Sequence, residues 1–280
     1  MRIRSRMLPP GWYPRTKSEC LREMEQMVAG VKPLPPLTKI FGGIVPHAGW
    51  YFSGRLAARV FYLASLITQP QVVAVFGGHL RGDSPPLLVP DDAWETPLGP
   101  LPLATDFYEP LSQRLPLRTE NPGDNTIEIQ LPLVQHFFPN AKVLAVRAPH
   151  SPQAIALGEA VAAIAAEMKV SLLAFGSTDL THYGPNYGWA PQGYGADAVK
   201  WVKEVNDQKL MDLALKLDGP GLLAAAARDR SACSAGGAVA AMAAAQKLGA
   251  TKAHLVDYYT SYDIMPGDSF VGYAGIVLEG

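Results

Sequence analysis

Six short runs of this chain read as strands, several of them apolar throughout, where a half-exposed strand would alternate apolar with polar. They are "KIFGGIVP" (39–46), "VVAVFGG" (72–78), "KVLAVRA" (142–148), "SLLAFGS" (171–177), "HLVDYYT" (254–260) and "FVGYAGIVL" (270–278). A strand with one wetted face alternates with period two, so runs that do not alternate must be covered on both faces. That requirement restricts the chain to a sheet held between layers. Alanine-rich helical patterns supply the layers, over roughly 53–67, 126–138, 152–168, 195–215, 219–227 and 233–248. At 152–168, Ser151 is placed to cap and Pro152 to occupy the first helical position. Strands alternating with helices predict an α/β sandwich, with a mostly parallel central sheet flanked by helices. "LLVPDDAWETPLGPLPL" (87–103) is rich in proline and turn residues and reads as a hairpin insertion. No long linker, charge block or internal repeat divides the chain, so residues 1–280 are expected to form one domain.

Composition supports a large core: 48% of the 280 residues are apolar. With 24 basic and 25 acidic residues the net charge is −1, and no basic run accompanies it, so nucleic acid is not an expected partner. The basic N-terminus, "MRIRSRMLPPGWYP", lacks the apolar stretch of a signal peptide. The uncharged stretch from Ser231 to Gln246 is too short to span a bilayer, so the expected location is cytoplasmic, away from any membrane. Two cysteines, Cys20 and Cys233, do not make a disulfide framework. In a reducing compartment their thiols are available for packing or for metal.

Four of the six histidines fall just past the end of an expected strand: His47 after "IVP", His79 after "VFGG", His150 after "VRAP" and His182 after "FGSTDLT". In open α/β sheets, ligands bind outside the carboxyl ends of the strands. A lone histidine at such a point is commonly a loop residue held by a carbonyl, but four together point to a site. His136 reads as helix packing and His254 as structural. Cys233 is expected to open the last long helix, where the helix N-terminus would lower its pKa and favour thiolate. The competing reading is a small buried residue in a small-residue helix. Asp179 and His182 lie three residues apart. On a helical turn the carboxylate would fix the imidazole tautomer, while a simple turn-capping role for Asp179 competes with this.

No phosphate-binding loop, dinucleotide fingerprint, H-E-x-x-H or G-x-S-x-G is present. The "RGD" at 81–83 carries no weight in a chain without secretion signals.

The motifs "GGIVPHAGWYFSG", "WETPLGPL", "TIEIQLPLVQHFFP", "GSTDLTHYG", "SACSAGG" and "TSYDIMPGDSFVGYAG" resemble, in order, those of the Memo family. Its prokaryotic members are also called AmmeMemoRadiSam system protein B. "PPGWYP" (9–14) resembles the family's N-terminal motif, so the resemblance runs from about residue 9 to about 278. It implies the fold of class III extradiol ring-cleavage dioxygenases. It also implies a metal held by His47, His79 and Cys233, the cysteine standing where the dioxygenases have glutamate. Asp179 and His182 match the remaining site pair, His182 in the acid/base role. Trp12, Trp50, Tyr51, Asn125, Glu128 and Tyr183 are the expected substrate-pocket residues. Three local departures stand out. Asp124-Asn125-Thr126 replaces the usual Glu-His-Ser, exchanging a histidine for an asparagine that cannot titrate. Gly77-Gly78-His79-Leu80 replaces Pro-x-His-His/Thr. Ser234 follows the cysteine in place of glycine.

The expected cofactor is a divalent transition metal, Fe(II) first, with Cu or Zn as alternatives. The expected function is a dioxygenase-like oxidoreductase acting on a small aromatic molecule. A metal-binding protein without turnover is the second reading, acting through partners that the resemblance would make AMMECR1-like and radical SAM proteins. Zinc hydrolysis stands third, and a Ser177-His182-Asp179 triad behind it, since no oxyanion motif accompanies these residues.

Overall fold

The computed structural model describes residues 1–31, 35, 37–119 and 123–280. Six long strands carry the architecture: β1 (Ile40–Val45), β2 (Val72–Leu80), β3 (Lys142–Pro149), β4 (Leu172–Ser177), β5 (Lys252–Thr260) and β6 (Phe270–Glu279). Their order across the sheet is β5-β6-β1-β4-β2-β3, and the central four, β1, β4, β2 and β3, are mutually parallel. Strands β5 and β6 join antiparallel at one side, and the short strands Leu87–Leu88 and Arg118–Thr119 extend the other.

The non-alternating strand sequences have the predicted cause. Along β2, Val72, Ala74 and Phe76 enter one core while Val73 and Val75 enter another; along β4, Leu172 and Ala174 part from Leu173 and Phe175 in the same way. Each valine, leucine or phenylalanine so buried contributes about 1.5–3 kcal/mol, and the alanines less. The main helices are α1 (Lys17–Val28), α2 (Arg55–Ser65), α3 (Leu131–Phe137), α4 (Gln153–Glu167), α5 (Asp207–Leu215), α6 (Gly219–Asp229) and α7 (Ala235–Leu248). Helices α1 to α3 cover one face, and α4 to α7 the other. No helix among the described residues is long and apolar enough to cross a membrane.

Several expected helices are divided. The run 126–138 breaks into Asn125–Glu128 and α3, with Pro132 in the first turn of the second piece. Within 195–215 a π-helical turn, Val202–Asn206, separates Ala196–Trp201 from α5. Another, Trp50–Gly54, precedes α2 just after His47. The cap expected from Ser151 is not made: the N-cap of α4 is Pro152 and no side chain caps it. The hairpin expected at 87–103 is present as Ala93–Thr96 paired with Gly99–Pro102, and Ile3–Arg4 adds a third strand to it. Leu87–Leu88 belongs instead to the main sheet.

Candidate metal centre

Three adjacent parallel strands deliver the site. His47 follows β1, Asp179 and His182 follow β4, and His79 is the penultimate residue of β2. His150 follows β3, one strand further out, and its Nε2 meets the Leu223 carbonyl at 3.2 Å, so it is structural. Cys233 arrives from the opposite layer. Glycines at the start of α7 allow this, because a Cβ on Gly236 would lie 2.2 Å from the Pro149 carbonyl oxygen and one on Gly237 2.7 Å from that of Phe76. The helix therefore begins directly against the ends of β2 and β3, and Cys233, two residues before it, reaches the histidines. Its sulfur lies 3.1 Å from His47 Nε2.

The second nitrogen of each imidazole has a defined partner. Ser177 Oγ donates its single proton to the Thr126 carbonyl at 2.6 Å and accepts from Gln130 Nε2 at 3.1 Å. Against His47 Nδ1, 3.3 Å away, it can then only accept, so His47 carries its proton on Nδ1. His79 Nδ1 donates to Asp124 Oδ2 at 3.2 Å, and His182 Nδ1 to the Leu180 carbonyl at 3.1 Å. All three rings thus leave Nε2 to the cavity, in the orientation that outer hydrogen bonds give metal-binding histidines.

Electrostatics agree. Burial, with help from the neighbouring His79 ring, pulls His47 down to about 3, and burial also lowers His182, so both are neutral near pH 7. Burial alone would raise Asp124, but bonds from His79 and Thr126 and the Arg147 charge hold it well below the usual carboxylate range. Asp124 is therefore an ionised partner for His79 Nδ1. Asp179 is raised by burial; its Oδ1 accepts the His47 amide at 2.6 Å, while Oδ2 lies 3.9 Å from His47 Nε2.

Two expectations fail here. Residues 178–181 form a loop and not a helical turn, so Asp179 does not set the His182 tautomer; the Leu180 carbonyl does. Cys233 is not lowered by the helix start. Burial and the Asp179 carboxylate push its thiol well above the usual range, and without metal it is a protonated donor facing His47 Nε2.

Among the described residues the donors form two triads, His47–His79–Cys233 and Asp179–His182–Cys233. Within each triad the donor atoms lie within 4.8 Å of one another. Two imidazoles with a thiol, or an imidazole and a buried carboxylate with the same thiol, are donor sets that fit a divalent transition metal.

The sequence matches the Memo-like protein family over residues 4–277. The chain belongs to the Memo family. It is 29% identical to a MEMO1 family protein of Thermococcus onnurineus over 86% of this chain and 87% of that one. A MEMO1 family protein of Methanopyrus kandleri is 31% identical over 85% of this chain and 83% of its own. Another, of Methanosarcina acetivorans, is 27% identical over 100% of both. Membership in the Memo family accords with the layered fold and with the relation to class III extradiol dioxygenases that the motifs implied.

Beside the donors lies a cavity of about 440 Å³. Of the six residues expected to line a pocket, Trp12 and Asn125 line it, and Asn125 Nδ2 donates to the His47 carbonyl at 3.1 Å. Four do not line it. Trp50 is buried, and its indole N–H donates to the Ile129 carbonyl at 3.1 Å. Tyr51 is 68% exposed on an outer groove. Glu128 is buried and accepts from Met7 N, Leu8 N and Tyr13 Oη, fastening the N-terminal segment that carries Trp12. Tyr183 stacks on Phe270 and donates to the Gly193 carbonyl at 2.9 Å. Phe52, Tyr187, Ser261, Met265 and Tyr273 line the cavity and were not anticipated. Two of the quoted motifs, "YFSG" and "TSYDIMPGDSFVGYAG", contain four of these five. Asp124 and Ser177 were likewise missed as the partners of His79 and His47.

Proposed function

We propose that this chain holds Fe(II) on His47, His79 and Cys233 and oxidises a small, neutral aromatic molecule. The observation that carries the reading is one cavity with two properties. Imidazole Nε2 atoms of fixed tautomer face it, and no lysine or arginine is found among the described residues that line it. Two neutral nitrogens and one anionic donor on a single face suit Fe(II) and leave positions for O₂ and for substrate oxygens. When bound, the iron supplies activation of O₂. Thiolate is softer than carboxylate, so Cu and Zn are the competing ions.

The remaining work belongs to the chain. His182 is neutral and offers Nε2 to a substrate hydroxyl, so it can take up that proton while the Leu180 carbonyl holds the other side of the ring. Trp12, Phe52, Tyr187 and Tyr273 provide faces against which a planar ring can stack while they exclude water. With no lysine or arginine in the wall, an anionic group placed away from the metal would enter uncompensated, which favours substrates whose only charge lies at the metal.

The test is anaerobic reconstitution with Fe(II), followed by O₂ uptake with a panel of catechols and indoles. Uptake that needs iron, and that His182→Ala reduces by about 10²–10⁴-fold, is the expected result. Absence of metal-dependent uptake across the panel overturns the assignment of an oxidase or dioxygenase.

A further inference from the structure

The main chain around Tyr187 is pinned at several points. Gly184 donates to the Trp189 carbonyl at 2.8 Å and Trp189 donates back at 3.3 Å, so residues 185–188 project as a short tip from a closed neck. Below the neck, Trp189 packs against Tyr183 and Trp201 in a small core of its own. Pro185–Tyr187 form one 3₁₀ turn, closed by the Tyr187 amide on the Gly184 carbonyl at 3.0 Å, and Gly188, at φ 61°, then reverses the chain. The Asn186 amide donates to Ser269 Oγ at 3.1 Å, which ties the tip to a second segment lining the cavity. Gly184 has to be glycine, since its φ is 104° and a Cβ would meet the Asp268 carbonyl oxygen at 2.1 Å.

These bonds hold the Tyr187 ring perpendicular to that of His182, with centroids 4.8 Å apart. The side chain lines the cavity and is partly open to solvent, and no group among the described residues bonds its hydroxyl. Burial, then the Asp179 carboxylate and Cys233, raise the phenol above its ordinary range, so near pH 7 the hydroxyl keeps its proton. We infer that Tyr187 is a further substrate-binding residue, whose hydroxyl donates a hydrogen bond to an oxygen of the aromatic substrate while His182 takes a proton from the same molecule.

Two arguments favour a ligand oxygen over a role in the fold. A hydroxyl that the fold needs is bonded within it, as those of Tyr13, Tyr183, Tyr258 and Tyr259 are. A donor held in place before binding also avoids the ordering cost that a mobile side chain would pay. His182 and Tyr187 then present an acceptor and a donor side by side. That pair favours rings that carry an oxygen acceptor over plain hydrocarbon rings, which leave a polar group unmatched. The inference rests on the reading of the cavity as an aromatic-substrate site and deepens it.

The experiment is calorimetric titration of the purified protein with catechol, anisole and ethylbenzene. Anisole and ethylbenzene have nearly the same shape, but only anisole carries an acceptor, and it has no proton for His182. Tyr187→Phe keeps the ring and removes an oxygen that bonds nothing in the fold, so its thermal melt should match wild type. It should bind catechol and anisole about 3–10-fold more weakly and ethylbenzene as wild type does. His182→Ala should weaken catechol and spare anisole. Gly188→Ala, which strains φ where a Cβ has open space, should lose part of the same preference for anisole over ethylbenzene. Unchanged binding of catechol and anisole by Tyr187→Phe overturns the inference. An equal loss for ethylbenzene also overturns it, because Tyr187 is then only a wall. If wild type binds none of the three rings, the aromatic-site reading falls and the inference with it. The expected pattern in a protein without iron-dependent O₂ uptake supports Tyr187 and removes only the oxidation.

Discussion

Asp207 and Asp179 are both buried aspartates whose carboxyl groups burial pushes upward; Asp179 lies in the loop after β4, and Asp207, the first residue of α5, bonds Thr181 of that loop. Around Asp207 every direction is closed. Oδ1 accepts the Thr181 amide at 3.1 Å and the Thr181 hydroxyl at 2.5 Å, and Oδ2 accepts the Tyr258 hydroxyl at 2.8 Å. Glu128 repeats the arrangement with two amides and the Tyr13 hydroxyl. Around Asp179 the pattern inverts. One oxygen is held by backbone, and the other faces a cavity in which the neighbouring groups are acceptors or a thiol. Burial and a raised pKa do not separate the two cases. What separates them is whether neighbouring donors saturate the carboxylate or leave it open toward other lone pairs.

If that distinction is sound, substitutions on the open side should change metal binding and those on the closed side stability. The largest effect is expected from His47→Ala: a loss of metal affinity greater than about 100-fold by dialysis, since outer-shell partners alone cost about 10–100-fold. Near-wild-type affinity would remove His47 from the ligand set. Glu128→Ala leaves two amides and a hydroxyl without their acceptor, so a loss of about 3 kcal/mol or more in denaturant melts is expected. Its metal affinity by dialysis should not change; a loss would show that the closed knot shapes the metal site.

Ser177→Ala removes the acceptor that holds His47 Nδ1–H. It should weaken metal about 10–100-fold, with little change in the number of ions bound. Full affinity in this variant would mean that the tautomer is set elsewhere.

Asp207 gives a smaller, pH-dependent effect. Its carboxyl is pushed up to about 6 from 3.8, so between those values the folded chain keeps a proton that the unfolded chain has released. Its contribution to stability is complete below 3.8 and is lost as pH rises through about 6, with a slope of at most about 1.4 kcal/mol per pH unit. Asp207→Asn should be flatter across that window and should gain on wild type as pH rises. Parallel profiles would refute the raised carboxyl. The smallest change is Tyr51→Ala. On a side chain 68% exposed it should shift stability by less than about 0.5 kcal/mol and leave metal binding untouched.

Much of this molecule is legible in its residues. Non-alternating runs such as "VVAVFGG" require cover on both faces, and β2 does send alternate side chains into two cores. The collection of histidines past strand ends, and the cysteine before a small-residue helix, identified the donors because a parallel sheet gathers its carboxyl ends in one place. Pocket walls were less legible. Trp50 and Tyr51 follow His47 directly, but the π-helical turn buries one against Ile129 and turns the other outward. Tyr187 lies five residues past His182 and Tyr273 inside a quoted motif, but neither stretch marks by its pattern which side chain turns into the cavity.

The sequence by itself determined the layered α/β class, the family and the side chains that form the candidate metal donors. These follow from local hydrophobic pattern and from motifs a few residues long. Only the tertiary structure decided which nitrogen each imidazole presents, because the deciding partners come from segments remote from the rings they hold. Ser177 reaches His47 because β4 lies beside β1, and Asp124 reaches His79 across 45 residues of chain. Leu180 is near His182 in sequence, yet it sets the tautomer only because the segment is a loop and not a helical turn. The structure also kept Cys233 protonated where its helix alone argued for thiolate, because desolvation and a facing carboxylate outweigh a helix terminus in a buried site.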